Sequence, residues 1–139
     1  MRGYLLDTNV VSETRKGRRI NPNVLAWFES VDDDALFLSV LVIGEIRKGI
    51  EQARSKDPVK ARALAEWLKG LEQRYGDQIL PITTAVADQW GCLSAIRPLS
   101  TVDGLLAATA MVHDLTLATR NVTDVAHTGV VLLNPFTTS

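Results

Sequence analysis

Four acids stand out by their placing: Asp7 in "YLLDTNVVSE", Glu45 in "SVLVIGEIRKGI", Asp103 in "VDGLLAATA" and Asp124 in "LATRNVTDV". Each has an ordinary structural role open to it. Asp7 ends a short apolar run and can cap a helix N-terminus, a contact worth about 1 kcal/mol. Glu45 has Leu41 and Val42 one turn before it and Gly49 one turn after. It therefore either reaches outward from the edge of an apolar stripe or is held inside by a partner, because an unpaired buried charge costs several kcal/mol. Asp103 follows Ser100 by three residues, which is a capping arrangement. The same face runs on through Ala107 and Ala110, so the helix is built for close packing and its first turn is expected deep in the fold. Asp124 lies in a polar turn with Arg120, Asn121 and Thr123, where a solvated loop residue or another cap would suffice.

These acids are spread along the chain, so only the fold can gather them. Residues 3–6 read as a first strand, with Asp7 or Thr8 capping a short helical turn. Asn21-Pro22 starts a second helix, and Asp32 to Asp34 breaks it. A brief strand at 36–38 leads to a helix capped by Ser39, with Ile43, Ile46, Ile50 and Ala53 on one face. After Asp57-Pro58, Leu64, Trp67, Leu68, Leu71 and Tyr75 recur at helical spacing, a stripe suited to core packing or to a subunit or partner contact. A strand at 78–82, a helix from Thr83 or Thr84 to Ile96, a helix from 102 to 113, and strands at 116–119 and 130–133 complete the chain. Strands alternating with helices predict an α/β fold: one domain, residues 1–139, with a central parallel β-sheet flanked by α-helices on both faces.

In such sheets ligands bind at the carboxyl ends of the strands, where the strand order reverses. Asp7, Asp103 and Asp124 are expected near one such edge, flanked by the helix of Glu45. At about 4 Å and an effective dielectric near 20, each like-charged pair repels by roughly 4 kcal/mol. The cluster therefore needs cations or shifted pKa values. Oxygen-only ligands favour hard ions, Mg²⁺ or Mn²⁺, whose open positions accept water and phosphate oxygens, the setting for phosphodiester hydrolysis.

The rest of the composition sets bounds. The chain has 139 residues, 46% of them hydrophobic and 22% charged, with a net charge of −1. No apolar run is long enough to span a bilayer, and no basic segment followed by an apolar stretch suggests export, so the cytoplasm is the expected compartment. Cys92, the single cysteine, cannot form an internal disulfide and reads as a small buried hydrophobe beside Trp90, Leu93 and Ile96. Arg15, Lys16, Arg18 and Arg19 around Gly17 make a basic patch that could hold a phosphate backbone, or simply a solvated loop.

With these motifs together, the sequence resembles the PIN-domain ribonucleases, and especially the VapC and FitB type toxins of bacterial toxin–antitoxin pairs. The four quoted fragments carry the resemblance, in the family's order and spacing. It implies a PIN-like fold and a metal-binding acidic quartet, Asp7, Glu45, Asp103 and Asp124. It also implies Mg²⁺- or Mn²⁺-dependent cleavage of an RNA substrate, a homodimer, and a cognate antitoxin protein whose tail enters the groove. Thr8, Thr119 and Asn121 lie beside the matched acids and are expected to orient carboxylates or water. Arg15, Lys16, Arg18 and Arg19 become candidate RNA contacts. Two positions depart from the pattern, with Val125 where many relatives carry an aromatic and Gly104 where alanine is usual.

Other readings fit less well. Phosphatases with an aspartyl nucleophile after the first strand place a second aspartate two residues on, where this chain has Asn9. A receiver-like domain would have adjacent acids near the first strand and a late lysine in the sheet. A PIN-like module that binds RNA or protein without catalysis is the remaining alternative, although all four acids are present. His113 and His127 lack paired metal-ligand spacing and receive no role.

Overall fold

The computed structural model describes residues 3–137, so the expected 1–139 domain extends by residues 1, 2, 138 and 139 beyond those described. Five strands form one sheet: β1 (Tyr4–Leu6), β2 (Leu36–Ser39), β3 (Ile79–Leu80), β4 (Thr116–Ala118) and β5 (Leu132–Leu133). Their order is β3-β2-β1-β4-β5 and every pairing is parallel. Seven α-helices connect them among the described residues: α1 (Thr8–Glu13), α2 (Pro22–Ser30), α3 (Val40–Ala53), α4 (Pro58–Tyr75), α5 (Thr84–Ile96), α6 (Thr101–Val112) and α7 (Val122–Val125).

The caps that the sequence predicts are the caps that form. Asp7 accepts from the Thr8 amide, Asn21 from those of Asn23 and Val24, Ser39 from Leu41, Asp57 from Lys60, Thr83 from Val86, and Ser100 from Asp103. Strand ends are shorter than the apolar runs suggested. Residue 81 is proline, which brings no N–H to a ladder, so β3 stops at Leu80. Gly129, at φ 83°, turns the chain just before the last strand, which then pairs only from Leu132.

The sheet centre is apolar. Leu5, Leu6, Leu36, Leu38 and Leu117 are all at most 1% exposed, and α3, α4 and α6 lay Val42, Ile50, Leu68, Leu106 and Ala107 over them. Steps from β1 to β2 and β2 to β3 run one way across the sheet, whereas β3 to β4 and β4 to β5 run the other. Right-handed crossovers then place the two sets of helices on opposite faces. The reversal falls between β1 and β4, and there the crevice opens.

Cys92 is exposed rather than buried. Helix α5 turns Val86 and Leu93 inward, and Cys92, one residue before Leu93, rotates about 100° away from that face. Ile96 is likewise 77% exposed.

Candidate active site

The crevice is built by strand register. Leu6 pairs with Ala118, so the next residues along these two parallel strands are Asp7 and Thr119. The Asp7 amide continues the ladder to the Ala118 carbonyl at 2.9 Å, and the Thr119 hydroxyl donates to Asp7 Oδ2 at 2.7 Å. Asp7 Oδ1 accepts from the Thr8 amide at 2.7 Å. The carboxylate is 8% exposed and fixed through both oxygens. Burial pushes its pKa above the ordinary carboxylate value, the hydrogen bonds from Thr119 and Thr8 oppose this, and the charges of Asp103 and Glu45 raise it further.

Glu45 comes from α3, and its Oε1 accepts the hydroxyl of Thr8. Of the two arrangements the helix pattern allowed, Glu45 takes the one held by a partner, and that partner is Thr8, half-buried like Glu45 itself. Asp103 is half-buried in the first turn of α6, where its amide donates to the Ser100 hydroxyl at 3.2 Å. Its side chain is free of the cap and faces a cavity of about 380 Å³ shared with Asp124, Ser100, Thr123, Arg97 and His127. Asp124 is exposed on α7, at the outer side of that cavity.

The acids thus form a row. Thr8 ties Glu45 to the residue next to Asp7, Asp7 feels the charges of Glu45 and Asp103, and Asp103 shares a cavity with Asp124. Among the described residues no three of the Asp, Glu, His or Cys side chains close into one ligand cluster. The donor set is nevertheless all oxygen and anionic, with a buried carboxylate raised by its neighbours, and that chemistry fits a hard cation. Such ions keep several waters and take only one or two carboxylates directly.

Thr8 and Thr119 each donate the hydroxyl to a carboxylate, Thr8 to Glu45 and Thr119 to Asp7. Asn121 acts differently, through its backbone amide, which donates to Thr119 Oγ1 at 3.0 Å, while its side chain is exposed. Asn9 was missed. Its amide nitrogen lies 3.4 Å from Asp7 Oδ2 and 3.5 Å from Thr119 Oγ1, and its oxygen accepts from the Arg120 amide at 3.1 Å, so it ties the β1 end to the β4 end. Its place two residues after the first acid was the available signal. Of the basic patch, Arg15 alone lines a cavity with Glu45 and Thr8; Lys16 is turned back onto Glu13 at 2.9 Å.

Gly104 has a reason in the packing. A Cβ there would lie 2.9 Å from Trp90 Cδ1 and 3.1 Å from Leu99 Cδ2, so glycine admits the indole against the first turn of α6 beside Asp103. Val125, the other departure, is buried in the core.

Fold and site together define an α/β protein with a carboxylate row at the switch point of a parallel sheet. The family model described as PIN domain matches residues 4–127, and the chain belongs to that family. It is 31% identical over 138 residues to toxin FitB of Neisseria gonorrhoeae, covering 95% of this chain and 97% of that protein. It is 29% identical over 136 residues to the VapC ribonuclease Y4jK of Sinorhizobium fredii, covering 95% and 96%. The crystal structure of FitAcB from Neisseria gonorrhoeae superposes with a TM-score of 0.86 at 30% identity, over 97% of this chain and 99% of that one. No helix among the described residues is long and apolar enough to cross a membrane.

Proposed function

We propose that this protein is a metal-dependent endoribonuclease toxin of a toxin–antitoxin pair, acting on RNA in the cytoplasm as a homodimer and silenced by a cognate antitoxin protein. The observation that carries the reading is Asp7: a hydrogen-bonded carboxylate at the reversal of the sheet, its pKa raised first by burial and then by the charges of Asp103 and Glu45. The names of the relatives, a toxin and a VapC ribonuclease, support the class.

Asp7, Glu45, Asp103 and Asp124 would hold Mg²⁺ or Mn²⁺, directly or through water. Such an ion, when bound, lowers the pKa of an attacking water and neutralises charge at the phosphate. The chain's own part is positioning. Thr119 and the Thr8 amide hold Asp7 in one orientation, and Thr8 Oγ1 holds Glu45 facing it. Asn9 locks the two strand ends together, so the carboxylate does not swing when charge arrives. Asp124, exposed and lining the cavity with Asp103, would accept from a water there.

The test is cleavage of total RNA by the purified protein with Mg²⁺ or Mn²⁺, against EDTA and against Asp7→Asn. Cleavage that vanishes in both controls is expected. A wild-type protein that binds RNA without cutting it would favour the non-catalytic module.

A further inference from the structure

A second cavity, of about 350 Å³, opens beside the acid row and is lined by Thr8, Glu45, Arg15, Lys60, Leu64 and Trp67. Thr8, bonded to Glu45 and next in the chain to Asp7, joins this cavity to the acid row. The other lining groups arrive from separate elements: Arg15 from the 3-10 turn after α1, Lys60 and Trp67 from α4. Both Arg15 and Lys60 are exposed, and neither enters an ion pair among the described residues, whereas nearby Lys16 and Arg54 are paired with Glu13 and Glu51. Trp67 is half-buried against the core edge and, unlike Trp27, makes no ring–ring contact among the described residues.

Two uncommitted cations and an indole match a polyanion that carries flat rings. We propose that this cavity is a nucleotide subsite for single-stranded RNA, in which Trp67 stacks on the base next to the scissile phosphate and Arg15 and Lys60 hold the phosphate beyond it. The subsite rests on the ribonuclease reading above and gives it a direction along the strand. Glu45, the one carboxylate in the lining, repels the held phosphate and so keeps it at the outer end, between Arg15 and Lys60. Stacking tolerates every base and is strongest for the largest rings, so the cavity would bias the cut site without reading a sequence.

The experiment uses the full chain in EDTA, where RNA is bound but not cut, with a single-stranded RNA carrying a randomised window as the probe. RNA is expected to quench tryptophan emission in the wild type, and Trp67→Phe is expected to lose that quenching while Trp27 and Trp90 report unchanged. Trp67→Leu should weaken binding about tenfold. The double variant Arg15→Ala/Lys60→Ala should lower the slope of log K against log salt by about 0.7, the value for one phosphate on a single strand, and each single variant by less. Circular dichroism verifies folding, and Trp67→Phe, which keeps the ring packing, separates stacking from stability. With Mg²⁺ or Mn²⁺ added, a wild type that quenches but never cuts leaves the subsite standing and sinks the ribonuclease reading. A wild type that cuts while Trp67 emission and the salt slope match those of the variants overturns the subsite and leaves the cavity to a protein partner.

Discussion

Asp7 shows why a carboxylate that costs stability is retained. Its native pKa is raised, so the folded chain holds the proton more tightly than the unfolded chain. Stability from this group is therefore complete at low pH and is lost as pH rises from the ordinary value of 3.8 through the raised native value. At neutral pH the ionised carboxylate, whose burial its hydrogen bonds only partly offset, opposes folding, and Asp7→Asn should melt at a higher temperature than the wild type in EDTA. Excess Mg²⁺ should reverse the order, because binding to the native wild type adds about 2.7 kcal/mol at a hundred times the dissociation constant. Thermal denaturation of both proteins, with and without the ion, checks this. An Asp7→Asn protein that is less stable in EDTA would mean that the hydrogen bonds from Thr8 and Thr119 outweigh burial.

The elements around the site depend on a second acid that sequence reading passed over. Glu13 ends α1 and is 5% exposed, yet it accepts from the Asn21 amide at 2.8 Å and pairs with Lys16 at 2.9 Å. It thereby closes the 3-10 turn of residues 14–19 onto the start of α2. The hydrogen bond from Lys16, followed by that from Asn21, holds its pKa below the ordinary carboxylate value. Its contribution is thus present above pH 4.5 and lost as pH falls through the lowered native value. Glu13→Gln should cost about 1–2 kcal/mol in urea denaturation at neutral pH, the worth of charged hydrogen bonds, with a smaller difference at acid pH. Equal loss at both pH values would assign the effect to packing. Nothing in "VVSETRKG" marks Glu13 as inward, because it follows the surface residue Ser12 and only tertiary structure shows what the turn folds back upon.

At the scale of the molecule, the alternation of strands and helices made the parallel sheet legible, and the capping residues marked helix starts because a cap is a local contact. The sequence proposed the four acids as a set, and the structure lines them up in a row, with the Thr8 and Thr119 hydroxyls bonded to Glu45 and Asp7. Asn9 was hidden because two of its three partners, Thr119 and Arg120, are over a hundred residues away and meet it only through the β1–β4 register. The burial of Cys92 was misjudged because composition around a residue does not fix which way a helix rotates. A net charge of −1 gives the molecule no general attraction for nucleic acid, so a polyanion must be drawn by local cations, and metal at the acids would lift their repulsion. The central claim is that the acid row at the sheet reversal binds a divalent ion, and paramagnetic resonance of free Mn²⁺ tests it most directly. Titrating wild type, Asp7→Asn and Asp103→Asn should show Mn²⁺ taken up by the wild type and released in both variants. Equal uptake by all three proteins, or none by the wild type, would contradict it.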